Sequence, residues 1–420
     1  MKKKKIITLS DYFPQGTEYF YSYPVGDSIY HFFKPEDPVA EEMISARLLT
    51  CAGEGMKVIV YKSILRYKSL ELLRKNSDIP FIPKKQIIVL PPTINEKTLD
   101  SKKNKLVTDA LLKQTSHRNL VVAQPIMDER LLDEYQIDPK LSIWLNDKIY
   151  LDQYVDSEFL PQRYAQFRNG QDFFHSTEKI PVPCVVKVSA SSSGQGTRIC
   201  LNSIDLKKAK KDFKKRVGTL FIEEYISYIH NFGFQFGIPF DKKKAPHIIG
   251  YNHQVTAADG EFLGGFIFKK EKHKETKTIK KFITKEILPK IQKMGWHGVG
   301  GFDVLLKSNG KFYIIDSNFR TTGMTAYIFL SRNKLISKSL VSFTATFRGT
   351  REEFVEKVLS LNKGEDKILT IVSLSKKGNE YRFNGALLFD KKEETPQLAS
   401  ILIGRGIKSE VLQMLRFWEC

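Results

Sequence analysis

The sequence predicts a mixed fold: an N-terminal α/β part built on a parallel sheet, followed by a larger α+β part. Three observations predict it. Short apolar runs alternate with helical patterns over about the first 125 residues, the signature of a parallel sheet. Hairpin signals then take over. The length of 420 residues suits two or three domains at ~150 residues each.

In the first part, Asp37-Pro38 opens a helical pattern through Val39, Met43, Ile44, Leu48 and Leu49, and Gly53 suits its end. Met56 to Tyr61 (MKVIVY), Gln86 to Leu90 (QIIVL) and Leu120 to Ala123 (LVVA) read as buried strands, with helix continuing over Ser69 to Leu73. The stretch from Gln124 to Leu160 reads as helix-rich. Val185 to Val188 and Thr197 to Leu201 read as strands around a small-residue loop, followed by a basic helix from Leu206 to Arg216 and a strand from Leu220 to Tyr225. From Asn231 to Phe268 the chain is strand-like, with Asp259-Gly260 as a hairpin turn. Thr276 to Met294 is helical, and Phe302 to Asn318 forms a second hairpin. The tail after Ser331 carries a helix over Arg351 to Leu361, a strand pair and a final helix.

Composition excludes several classes. Hydrophobic residues at 41% and charged residues at 27% are a globular balance, not a disordered one. The four cysteines, Cys51, Cys184, Cys200 and Cys420, form no CxxC pair, which argues against a disulfide scaffold or a cysteine zinc site. Lys2 to Lys5 precede an apolar run that Ser10-Asp11 ends too soon for a secretory signal, and no run approaches a spanning helix. The expectation is a soluble cytoplasmic protein with no membrane partner. The charge is +20, from 67 Lys+Arg against 47 Asp+Glu. This admits an anionic partner, but no zinc finger, zipper or RNA-binding signature accompanies the basic runs, so nucleic acid is a disfavoured partner. His247, His253, His273 and His297 have no metal spacing, and no GxSxG elbow occurs.

The second hairpin carries the sharpest chemistry. Asn309-Gly310 is a two-residue turn signal. Pairing Ser308 with Lys311 across it sets Asp303 opposite Asp316, and directly opposed side chains have Cβ atoms ~5 Å apart. Two carboxylates so placed call for a cation, and Asn318 follows on the same face. Oxygen donors of this kind suit Mg²⁺ or Mn²⁺. The competing reading is a solvated hairpin end, against which the apolar flanks speak.

A second signal is Val185 to Ile199 (VVKVSASSSGQGTRI): Lys187 on a strand precedes Ser193, Gly194 and Gly196 in a loop whose small residues let backbone N–H groups approach phosphate. It is neither a Walker A loop nor a dinucleotide fingerprint. A third is Leu220 to Ile226 (LFIEEYI), an apolar strand ending in Glu223 and Glu224, which can present backbone groups to a purine edge or be an ordinary strand end.

Taken in order, these signals resemble the ATP-grasp superfamily over about residues 140 to 330. Asn146-Asp147-Lys148 resembles the context of that family's first nucleotide lysine, and Asn318-Phe319-Arg320-Thr321-Thr322-Gly323-Met324-Thr325 resembles the "NxRxTGxT" run of its peptide-ligase-like members. The resemblance implies that Lys148 and Lys187 contact ATP phosphates under a mobile loop containing Ser193, Gly194 and Gly196. It implies that Glu223, Glu224, Tyr225 and Ile226 form the adenine hinge, and that Asp303, Asp316 and Asn318 hold Mg²⁺. Arg320 would steady the acyl phosphate. His230-Asn231 stands where an acid often holds the ribose, and either could hydrogen-bond a hydroxyl, with His230 taken as the candidate.

The domains expected on this basis are residues 1–128, an α/β domain of the kind that precedes an ATP-grasp domain, and 129–420. The latter divides into a central lobe (129–230) and a C-terminal lobe (231–420). The activity implied is an ADP-forming ligase joining a small-molecule or peptide carboxylate to an amine acceptor through an acyl phosphate. A homodimer is an open expectation. The alternatives are a degenerate nucleotide-binding scaffold and a basic nucleic-acid-binding protein.

Overall fold

The computed structural model describes residues 6–21, 43–61, 68, 70–73, 79–91, 100–115, 117–191, 196–257, 260–269, 274–362 and 367–417. The helix start at Asp37-Pro38, Ser193, Gly194 and Asp259 lie outside the described residues.

Three sheets organise the chain. The first is parallel, in the order β3-β2-β1-β4, and is built from β1 (Glu18–Phe20), β2 (Lys57–Val60), β3 (Ile87–Val89) and β4 (Leu120–Val122). Three of these are the apolar runs expected. The inner strand β1 reads Glu18-Tyr19-Phe20, which opens on a charged residue and so makes no apolar run. A helix over Asp100–Gln114 connects β3 and β4. The stretch thought helix-rich, 124–160, holds one α-helix (Pro139–Asn146), and the rest is 3₁₀ turns over Glu129–Glu134, Lys148–Gln153 and Ser157–Phe159. Asp128, Asp138 and Asp147 cap these pieces in succession, each carboxylate accepting the backbone N–H two residues on, and such frequent capping keeps helices short.

The second sheet is antiparallel, in the order β5-β8-β6-β7, from β5 (Arg163–Phe167), β6 (Cys184–Val188), β7 (Thr197–Cys200) and β8 (Leu220–Glu224). Helices Gly170–His175 and Ser203–Phe213 accompany it. Phe173 and Phe213 from those helices pack with Val186, Val188, Leu220 and Ile222.

The third sheet has eight strands in the order β13-β12-β9-β10-β11-β14-β16-β15. These are β9 (His230–Ile238), β10 (His247–Thr256), β11 (Phe262–Ile267), β12 (Gly298–Leu306), β13 (Phe312–Asn318), β14 (Ser339–Arg348), β15 (Leu369–Lys377) and β16 (Glu380–Phe389). Strand periodicity sets its two faces. On β9, Phe232, Phe234, Phe236 and Ile238 point into the core, while Gly233 and Gln235 point the other way, into a cleft. The core face packs on the helical segment 274–293, whose Ile279, Ile283, Ile287 and Ile291 recur at helical spacing and are fully buried.

The β12–β13 hairpin brings Asp303 opposite Asp316, but by a different route from the one expected. The loop has three residues, Ser308 to Gly310. Lys307 N–H donates to the Lys311 carbonyl at 2.9 Å, and Gly310 takes φ +83°. That shifts the register by one, with Leu306 facing Phe312 and Val304 facing Ile314. A bulge beyond Val304 then shifts it back, so that Asp303 faces Asp316 and Gly301 faces Asn318.

Candidate active site

The second sheet faces the cleft side of the third across a cavity of 690 Å³. Lys148, Lys187, Glu223, Glu224, Tyr225, Ile226, Asp303, Asp316, Asn318 and Arg320 all line it. The residues come from five stretches of the chain, and each is set by a local reason.

Asp303 and Asp316 meet because the bulge restores their register. Asp303 is pushed up to about 7, first by burial and then by the Asp316 charge, although the Gln254 hydrogen bond, Lys148 and Arg320 pull the other way. Gln254 Nε2 donates to Asp303 Oδ1 at 2.6 Å. A buried acid facing a second carboxylate is suited to a divalent cation. Asn318 adds a neutral oxygen on the same face. Among the described residues no set of three or more His, Cys, Asp or Glu side chains converges as a metal cage. Two carboxylates and an amide fit Mg²⁺ better than zinc, since Mg²⁺ keeps water and phosphate oxygens as ligands.

Both lysines are buried and held by oxygen. Lys148 opens a 3₁₀ turn and donates from Nζ to the Ser191 carbonyl at 2.8 Å, with Asp316 Oδ1 at 3.4 Å. Lys187, on β6, lies 2.8 Å from Glu223 Oε2 and donates to the Ile315 carbonyl at 2.9 Å. Glu223 thus turns its side chain to Lys187, while Glu224, Tyr225 and Ile226 continue along the cleft wall. Ile226, Leu305, Tyr313 and Ile315 form a small apolar cluster beside them. Ile315 is the extra residue of the bulge, so the register slip supplies both the acid pair and part of this apolar surface.

Gly196 closes the far end of the small-residue loop. A Cβ there would lie 2.5 Å from Ser191 Cβ, so the β6–β7 crossing needs a glycine.

Arg320 is buried at the end of β13, in a loop organised by side chains. Gln235 Nε2 donates to Thr322 Oγ1 at 3.0 Å, Thr325 Oγ1 donates to Gln235 Oε1 at 2.9 Å, and Phe319 N–H donates to Asn146 Oδ1 at 3.0 Å. Tyr19, next to the parallel sheet's centre, has its hydroxyl 3.2 Å from Thr321 Oγ1. The N-terminal sheet therefore supports the Arg320 loop directly.

His230 does not join this cavity. It lies on the Phe232 face of β9, its ring centroid 5.4 Å from that of Phe232 and 5.5 Å from that of His253, and it lines a neighbouring cavity. Strand alternation gives the reason: Asn231, one residue on, faces the cleft with Gly233 and Gln235. Asn231 Oδ1 is buried with no hydrogen-bond partner among the described residues, as an acceptor awaiting a ligand hydroxyl would be.

Asn231 was one of the two residues considered for a ribose hydroxyl, while Gln235, Asn252, Gln254 and Arg47 were missed by sequence reasoning. The alternation Asn252, Gln254, Thr256 on β10 was the available signal for two of them. Arg47 had none.

Comparison with known proteins bears on the fold. Residues 162–318 match a family described as L-aspartate–L-methionine ligase, ATP grasp. The biotin carboxylase domain of 2-oxoglutarate carboxylase from Hydrogenobacter thermophilus superposes with a TM-score of 0.56 at 12% identity, covering 96% of this chain and 93% of that one. Biotin carboxylase from Campylobacter jejuni gives 0.54 at 13% identity, covering 86% and 90%. An L-amino acid ligase from Bacillus licheniformis gives 0.53 at 13% identity, covering 94% and 99%. Residues 162–318 thus match an ATP-grasp family, and the chain as a whole shares the fold of these solved structures.

Proposed function

We propose that the chain joins two amino acids, activating the carboxylate of one as an acyl phosphate and coupling it to the amine of the other. The observation that carries this reading is the opposed Asp303–Asp316 pair in one cavity with Lys148, Lys187 and Arg320. The family match over 162–318 supports amino acids as substrates, with L-aspartate and L-methionine the first pair to try.

In the first step a carboxylate oxygen attacks the γ-phosphorus of ATP, the bond to the bridging oxygen breaks, and ADP leaves. In the second, the amine nitrogen attacks the acyl carbon, inorganic phosphate departs and the nitrogen loses a proton. Phosphoryl transfer is mainly positioning and charge neutralisation. Lys148 and Lys187 are poised for that: each exchanges its present oxygen partners for phosphate. Arg320 holds the oxygen charge that grows at the acyl phosphate and its tetrahedral adduct. Glu224, Tyr225 and Ile226 present backbone and the apolar surface of Leu305, Tyr313 and Ile315 to adenine, with Glu223 orienting Lys187. Asn231, rather than His230, takes a ribose hydroxyl. Ser193, Gly194 and Gly196 belong to the loop that covers the phosphates and keeps water from the intermediate. Asp303, Asp316 and Asn318 would hold Mg²⁺, which when bound neutralises phosphate charge.

Residues 1–128 and 129–420 are proposed as the two domains, with lobes at 129–230 and 231–420. Among the described residues no helix is long and apolar enough to cross a membrane. We place the protein in the cytoplasm, where ATP is supplied, and as a homodimer, a state that light scattering reads directly.

The test is ADP release with MgATP, L-aspartate and L-methionine, each omitted in turn. Release that requires both amino acids supports the reading. Equal release without either, or none with any pair of the twenty amino acids, refutes it.

A further inference from the structure

The cavity continues past Arg320 to a wall that the N-terminal part supplies. Arg47 lies there, in a 3₁₀ turn over Arg47–Thr50. Its Nε donates to Asn384 Oδ1 at 2.9 Å, and the guanidinium carbon sits 5.9 Å from the Tyr21 ring centroid. Asn384 is itself fixed: its oxygen accepts Ser373 Oγ at 2.8 Å and its amide donates to Thr344 Oγ1 at 2.9 Å. One edge of the guanidinium is thus anchored through a buried network, with the ring of Tyr21 beside it. The two terminal amino groups make no hydrogen bond or ion pair to any described residue. Nη1 would lie 3.7 Å from a Cβ on Gly323, so the unspent fork stands against the Arg320–Thr325 loop.

A guanidinium held by Nε and open at both amino groups is pre-organised for a bidentate carboxylate. The carboxylate that becomes an acyl phosphate belongs near the acids and lysines, so the one Arg47 meets does not react. The cavity around it is lined by the apolar side chains of Met43, Ile44, Tyr327 and Phe343. We propose that Arg47 binds the α-carboxylate of the amine acceptor, an amino acid with an apolar side chain lodged among these residues. Its amine is thereby turned toward the acyl phosphate. The inference rests on the ligase reading and gives the N-terminal part a role: it completes the acceptor site and selects for a free carboxylate next to the amine.

The experiment uses the full chain with MgATP and L-aspartate, comparing L-methionine with L-methioninamide, whose carboxylate is a neutral amide. Loss of a bidentate charge-assisted pair is worth roughly a ten- to hundredfold change. In the parent, methioninamide raises the acceptor KM by about that factor. In Arg47→Ala the two acceptors converge, each near the parent's methioninamide value, while the KM for L-aspartate stays within about threefold. Arg47→Lys, charged but unforked, falls between. The parent alone can overturn the proposal: equal KM for the two acceptors does so whatever the variants do. Discrimination persisting in Arg47→Ala overturns it as well. So does a shift confined to L-aspartate, which would place a donor carboxylate on Arg47. MgATP calorimetry on the same samples separates the levels. A parent that binds no MgATP refutes the nucleotide reading itself. One that binds MgATP but releases no ADP with L-methionine beside any other amino acid overturns the acceptor site alone.

Discussion

Asp316→Asn should separate stability from function, because the pair it breaks is costly without a cation. Asp303 ionises at about 7 in the fold, against 3.8 as its ordinary value. A gap of three units amounts to about 4 kcal/mol. Burial is the larger cause and the Asp316 charge the second; like charges directly opposed across strands cost on the order of 1 kcal/mol. The sign follows from proton binding. The raised carboxyl binds more protons folded than unfolded between pH 4 and 7, so its cost grows with pH through that window and is complete above pH 7. Asp316→Asn removes the repulsive share. It also loses the Lys148 contact at 3.4 Å, worth about 1 kcal/mol, while Lys148 keeps the Ser191 carbonyl at 2.8 Å. At pH 8 the variant should therefore match the parent within about 1 kcal/mol or exceed it, and at pH 5 it should be the less stable of the two. Urea unfolding at both pH values reads this. Mg²⁺-dependent ATP affinity should meanwhile fall about a hundredfold, roughly 3 kcal/mol. A variant more than 2 kcal/mol less stable at pH 8, or one with parental MgATP affinity, would refute the argument that these two acids oppose each other and serve a cation.

Three further outcomes are expected. Lys187→Met leaves Glu223 buried without its cation and should cost about 3–5 kcal/mol in urea unfolding, whereas Lys187→Met with Glu223→Gln should recover most of that without recovering ADP release. His297 is held near pH 4 by burial, so it is neutral in the fold and protonates more readily unfolded. Stability should drop as pH falls from 6.5 to 4, by at most about 3 kcal/mol, and His297→Gln should flatten that part of the pH profile. Gly196→Val forces Ser191 and the β6–β7 crossing apart. It should raise the KM for ATP and lower the melting temperature by a few degrees, as steady-state kinetics and calorimetry would show.

The parts legible in the sequence were those set by local spacing. Asp303 and Asp316 could be paired from an Asn-Gly turn. Yet the turn has three residues, and only the bulge after Val304 rescues the register, so a correct pair came from two slips that cancel. Lys148 and Lys187 were found from neighbouring residues, and the structure brings both to the cleft. Tertiary placement was not legible. β1 opens on Glu18 and sits mid-sheet because β2 and β4 pair with it on either side, which its own three residues do not announce. His230 and Asn231 differ by one position on a strand, and only the sheet decides which faces the cleft. Arg47 meets Asn384 across 337 residues, a contact without any local trace.

The central claim, carboxylate activation by phosphoryl transfer, is tested most directly by trapping the intermediate. The full chain is given MgATP and L-aspartate with hydroxylamine in place of the second amino acid. The account predicts aspartyl hydroxamate formed in step with ADP and inorganic phosphate, and none from Arg320→Ala. Hydroxamate accompanied by AMP and pyrophosphate, or ADP release without hydroxamate, would contradict it.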